Sequence, residues 1–246
     1  MLLIIPALHI REGKCYPKID YYRDHGLPPC ESPIEEPRLL RKENAKALHL
    51  FFDGTPAYSK DNLAIIRQIR TCIDLPLGVT IDSGVSTEEL QQLSSSGIYR
   101  VFLKCSGDEP LLQNALQIFT AQRLCPHISM EDSKLPDLPK LKSIGFSRLV
   151  IEFDNSDDPV LLSSFVQAAS KSNLRLTLIS SVLSYAQLMT LDGLTPTVDS
   201  LILNDTLEHD PFPCQAIWRT AEERAFLSVG KEANLWKNPL EGTVHR

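Results

Sequence analysis

Glycine is scarce in this chain, with 11 among 246 residues against 17 prolines. A loop that holds phosphate through backbone N–H groups needs close approach, and close approach favours glycine. The composition therefore argues against a glycine-lined phosphate cradle. Close cysteine pairs are missing as well. The six cysteines, Cys15, Cys30, Cys72, Cys105, Cys125 and Cys214, form no CxxC, so the expectation is free thiols in a reducing cytoplasm and no zinc site. There is no excess of basic residues, and a net charge of −6 gives no electrostatic case for nucleic acid. No apolar run approaches the roughly 20 residues of a membrane span. The first apolar run lacks the basic leader and small-residue cleavage site of a signal peptide. What is present, 43% hydrophobic and 23% charged residues, describes an ordinary cytoplasmic globule that meets neither membrane nor nucleic acid.

The first apolar run, residues 2–10, sets the pattern. Pro6 leaves no room for a helix, alternation is absent, and the run ends in the polar group His9, Arg11, Glu12, Gly13, Lys14. A parallel strand covered on both faces reads this way. Further strands are predicted over 47–52, 77–81, 100–104, 127–130, 148–153, 174–179 and 200–203. Helical spacing falls between them, over 33–43, 61–72, 110–119, 159–170 and 214–226. Two more helices open at Ser86 and Ser184, each with Glu or Gln three residues on, the capping-box pattern. Residues 16–32 form a Pro-rich, charged loop.

Eight strands alternating with helices predict an α/β fold, a (β/α)8 TIM barrel over residues 1–227, with a C-terminal tail over 228–246. The rival is an open doubly wound sheet. Internal echoes favour the barrel: Phe52-Asp53-Gly54 with Phe153-Asp154-Asn155, Ser86-x-x-Glu89-Leu90 with Ser184-x-x-Gln187-Leu188, and RVFLK with SLILN. The pairs keep their order roughly a hundred residues apart, as two similar half-barrels would.

In such a barrel, strands one and five are mates. Aligning Ala7-Leu8-His9 with Ser129-Met130-Glu131 places His9 and Glu131 across the mouth from one another, an imidazole and a carboxylate suited to acid and base. The plainer reading of each is a side chain bonded to its neighbours. Asp53 and Asp154 end strands two and six; they are ligand contacts or simply turn residues before Gly and Asn. Glu152 lies inside the sixth strand, and the sequence leaves open whether it faces the barrel or a helix. Cys105 as a nucleophile, and His49 and His127 as metal ligands, are weaker readings than core packing. No cofactor or metal is expected.

At this point the residues resemble a known family. Ile5-Pro6-Ala7-Leu8-His9-Ile10 with Gly13-Lys14-Cys15 resembles the opening of the histidine-biosynthesis isomerase and cyclase family, and the isomerase branch looks closer. Leu48-His49-Leu50 with Asp53-Gly54 and Asn62, and Arg100-Val101 with Pro110, extend the similarity over nearly the whole chain. The resemblance implies a (β/α)8 barrel acting on a bis-phosphate aminoaldose by an Amadori rearrangement. Its departures fall where that family works. The catalytic Asp of the first strand is His9, and that of the fifth aligns with Glu131. The Gly-rich third-strand loop reads Asp82-Ser83-Gly84-Val85-Ser86. The Gly-Thr after the fourth strand is Lys104-Cys105, the loop after the seventh is Ile179-Ser180-Ser181-Val182, and the eighth-strand Gly is Asn204 followed by Asp205. The segment after Glu131 is short, a shortened fifth β/α unit.

Side chains at these positions block backbone approach, and Asp82 and Asp205 repel phosphate. One like-charge contact at about 4 Å and an effective dielectric near 20 costs roughly 4 kcal/mol, about a thousandfold in affinity. Lys104 is the change in the opposite direction, a point contact for one anionic group. The expectation is a diverged member with the ordinary reaction impaired or lost. Catalysis falls to His9 and Glu131, and binding of a sugar-phosphate-like small molecule to Asp53, Lys104, Asp154 and Asn204. The competing expectations are a different, less phosphorylated substrate and a non-catalytic barrel acting as a binding or interaction protein.

Overall fold

The computed structural model describes residues 2–16, 32–42, 45–104, 109–129, 137–153, 159–180, 191, 193–194 and 197–203. Glu131, Asp154, Asn204, Cys105, the helices expected from Ser184 and over 214–226, and the tail lie outside them.

The first strand, β1 (Leu3–Arg11), turns back through Glu12 and Gly13 into a short antiparallel strand, β2 (Lys14–Tyr16). Both turn residues have positive φ, 50° and 78°, as a tight hairpin requires. The sequence reading had no strand here, because Glu is a poor signal for the first turn position. The chain continues through α1 (Glu35–Lys42), β3 (Leu48–Phe52), α2 (Lys60–Cys72), β4 (Leu77–Ile81), α3 (Thr87–Ser95), β5 (Arg100–Lys104), α4 (Glu109–Ile118), β6 (Leu124–Ser129), α5 (Leu138–Ile144), β7 (Arg148–Glu152), α6 (Pro159–Lys171), β8 (Arg175–Ser180) and β9 (Val198–Leu203). Leaving β2 aside, neighbouring strands pair in parallel in chain order. Ile4 of β1 lies opposite Leu201 of β9, so the sheet closes on itself as an eight-stranded (β/α)8 barrel.

Local chemistry fixes the helix ends. Ser86 accepts from the Glu89 amide and the Glu89 carboxylate accepts from the Ser86 amide, the expected capping box. Ser59 caps α2. Asp137 caps α5, which spans 7 residues before Gly145 stops it with φ 115°, so the fifth helix is short as the sequence suggested. The fifth barrel strand starts earlier than expected, at Leu124 rather than residue 127. Pro126 lies opposite Leu103 of β5 and precedes the first pairing with β7, so its missing N–H leaves no gap in that ladder.

Along each strand the side chains divide between two cores. Val101, Leu103, Leu149, Ile151, Leu176 and Leu178 pack outward against helix residues such as Ile66, Leu93 and Ala115. Phe102, Val150 and Ile179, which alternate with them, face inward with Ile5, Ala7, Cys125 and Ile202. Each buried aliphatic or Phe side chain contributes about 1.5–3 kcal/mol. The barrel's amino-terminal end is sealed by polar groups: Arg148 pairs with Asp199, and Thr177 Oγ1 lies 2.7 Å from Ser200 Oγ. Polarity there closes the bottom. The opposite end carries the candidate chemistry.

Candidate active site

His9 sits near the carboxyl end of β1, opposite Phe51 of β3. Its imidazole stacks on the Phe51 ring at 5.1 Å, and its Nδ1 lies 3.3 Å from Asp53 Oδ2. The position of Asp53 is set by backbone: its amide donates to the Ile10 carbonyl at 2.9 Å, and Gly54 follows with φ 79°. An ionised carboxylate only accepts, so the pairing puts the proton on Nδ1 and makes Nε2 the basic nitrogen of the neutral ring. Two residues that the sequence assigned separately, one to catalysis and one to binding, thus form a single pair.

His49 lies deeper in the barrel. Its Nε2 is 2.9 Å from Thr80 Oγ1, and its ring stacks on Phe102 at 4.8 Å and meets Phe51 edge-on at 4.6 Å. Burial, reinforced by His127 and His9, holds its pKa well below the usual histidine value. A neutral packed histidine is the structural role the sequence favoured for it.

Across the mouth, Lys104 Nζ lies 3.4 Å from Asp82 Oδ1. The cation expected to attract an anion and the carboxylate expected to repel one are partners. Beside them, Glu152 Oε2 stands 3.5 Å from His127 Nε2, long for a hydrogen bond and close enough for an ion pair. The His127 ring holds the Glu152 carboxyl below its ordinary value, partial burial opposes it, and Lys104 adds to the lowering. Glu152 therefore faces the barrel mouth. The sequence alone leaves the face of Glu152 open and reads His127 as core packing. The signal was alternation, because Val150 lies in the inner core and Glu152 shares its face. Cys125, in the same inner core, has its thiol pushed up to about 11 by burial, which suits packing and not nucleophilic chemistry. Among the described residues no group of three or more His, Cys, Asp or Glu side chains is placed to hold a metal ion, and no helix is long and apolar enough to cross a membrane.

Fold and mouth together define a (β/α)8 barrel protein with titratable side chains gathered at the carboxyl ends of its strands, the face on which barrels of this class carry their chemistry. The chain belongs to the histidine biosynthesis protein family, whose sequence pattern matches residues 3–182. It is similar to 1-(5-phosphoribosyl)-5-((5-phosphoribosylamino)methylideneamino)imidazole-4-carboxamide isomerase of Salinibacter ruber, 24% identical over 92% of this chain and 95% of the relative. The isomerases of the same name from Pelodictyon phaeoclathratiforme and Prosthecochloris aestuarii are each 27% identical, covering 92% and 90% of this chain and 96% and 93% of the relatives. Among solved structures, a 4-hydroxy-2-oxoglutarate aldolase superposes with a TM-score of 0.52 at 15% identity, covering 81% of this chain and 83% of that one. That likeness reaches the barrel and not the chemistry.

Proposed function

We propose that this chain is a diverged isomerase barrel in which the bis-phosphate reaction of its isomerase relatives is impaired or lost. In this reading His9 and Glu131 act as acid and base on a related small molecule in the cytoplasm. The observation that carries the acid–base part is the His9–Asp53 pair, an oriented imidazole at the catalytic face of the barrel. The Lys104–Asp82 pair supports the loss, since an anion must compete with a carboxylate already on the lysine. The amide-lined anion clamp of a duplicated half-barrel has become a mouth lined with side chains.

The ligand is a sugar-like small molecule of the aminoaldose class. Asp53, Lys104, Asp154 and Asn204 are its proposed contacts. One group protonates the sugar ring oxygen as the ring opens, and the other removes a proton from the neighbouring carbon. The reading needs no cofactor, metal, nucleic acid or membrane.

Complementation tests it. The full chain, expressed in a strain that lacks the histidine-pathway isomerase, is expected not to support growth on minimal medium. Growth at the rate given by an isomerase relative would overturn the loss of the ordinary reaction.

A further inference from the structure

We propose that Glu152 is a catalytic carboxylate working across the mouth from His9, with His127 beneath it as a positioning residue. The proposal rests on the acid–base reading above and changes which residue supplies the base.

Three observations lead there. The first is register. His9 lies opposite Phe51, and Ser129 lies opposite Glu152. The echo of Phe52-Asp53 in Phe153-Asp154 matches Phe51 with Glu152, so the mate of His9 on the fifth barrel strand is Ser129. Glu131 is two residues further along the sequence, outside the described residues. A serine hydroxyl is not a base near neutral pH, so a carboxylate facing His9 is supplied by the adjoining strand.

The second observation is the setting of His127. Its side chain is 2% exposed and its ring nitrogens lack a hydrogen bond among the described residues, while Glu152 above it is 46% exposed. A buried imidazole without a bond is costly, and it is retained where it serves the site. Its Nε2 points at the Glu152 carboxylate, which it steers into the mouth. The third is a likeness in composition between the two halves, although by register Glu152 matches Phe51 and not Asp53. His9 and Asp53 come from the first two barrel strands, His127 and Glu152 from the fifth and sixth, so each half of the barrel contributes one His–carboxylate pair.

The substrate class is an aminoaldose, an N-substituted ribosylamine. His9 takes up a proton at its basic Nε2, with Nδ1–H kept on Asp53, and gives it to the ring oxygen as the bond from that oxygen to C1 breaks, leaving an iminium at C1 and nitrogen. Glu152 takes the proton from C2. That electron pair forms the C1–C2 double bond and neutralises the nitrogen, and the resulting enaminol becomes the ketose when C1 takes up a proton and the C2 hydroxyl loses one. No oxidant or reductant is required.

Exchange in D2O, read as loss of the C2 proton and entry of deuterium at C1 of the ketose, is followed by NMR with the full chain and tests the assignment. The probes are a synthetic N-aryl-ribosylamine with and without a 5-phosphate. The intact protein is expected to convert a probe to the C1-deuterated ketose. Glu152→Gln is expected to slow exchange about a hundredfold or more and Glu152→Asp less than about tenfold. His127→Asn is expected to shift the acid limb of the exchange–pH profile upward, which loss of mere packing would not do. Thermal melts confirm that each variant is folded. Exchange abolished by Glu131→Gln and retained by Glu152→Gln overturns this inference and leaves the acid–base reading standing. No exchange by the intact protein with either probe overturns both.

Discussion

Gly78 and His49 are in contact across β3 and β4: they are register partners, and a Cβ at position 78 would lie 2.8 Å from His49 Nδ1. The absent side chain is what admits the imidazole to the barrel interior. Gly78→Ala should push the ring off Thr80 and destabilise the protein by about 1–3 kcal/mol, the usual range for overpacking. Urea denaturation of the variant measures this. An unchanged midpoint would mean the ring has a second place to sit.

His49 also makes stability depend on pH. Its pKa is lowered in the folded state, so below about 6.5 the unfolded chain takes up a proton that the native protein refuses. The unfolded state then binds more protons, and stability falls as pH drops through that value toward the lowered one. The slope from this one group approaches about 1.4 kcal/mol per pH unit. His49→Gln keeps a polar partner for Thr80 and should flatten the difference between melts at neutral and mildly acidic pH. Parallel curves for both proteins would refute the assignment.

His9 and Asp53 should behave as a unit. In the C2-exchange assay, His9→Ala is expected to lose about 10²- to 10⁴-fold and Asp53→Asn less, through disturbed orientation of the ring. The double variant should lose less than the sum of the two single losses, since part of the Asp53 effect passes through the imidazole. Additive losses would separate the two residues.

Lys104 is held by Asp82, and releasing it should restore some affinity for anions. Both side chains are more than half exposed, so Asp82→Asn is expected to tighten binding of a 5-phosphorylated ribosylamine about twofold to fivefold over the intact protein, with the larger gain at low salt. Lys104→Ala in the same background should remove the gain. Calorimetric titration reads both, and an unaltered affinity in Asp82→Asn would show that the pair does not control the mouth.

The strands were the most legible part of this chain. Residues 77–81 and 100–104 needed no revision, because apolar runs bounded by turn residues are local signals. Alternation of elements and the internal echoes point to a closed barrel, and the β1–β9 pairing supplies the closure. The hairpin strand Lys14–Tyr16 escaped notice because its turn uses Glu12 and not Asn or Asp. At the mouth, sequence named His9 and Asp53 without joining them, since they lie on different strands and only register brings them within 3.3 Å. Glu152 was undecided for a related reason. Inside a strand of mixed apolar residues, the face of one carboxylate is fixed by the barrel's neighbours and not by the strand's own pattern.

In the function proposed above, a two-ended phosphate clamp gives way to side chains while a titratable pair remains. Calorimetric titration of the intact protein with the bis-phosphorylated substrate of the isomerase relatives tests it most directly. No saturable binding below millimolar concentration is expected. Saturable micromolar binding that survives physiological salt would contradict it.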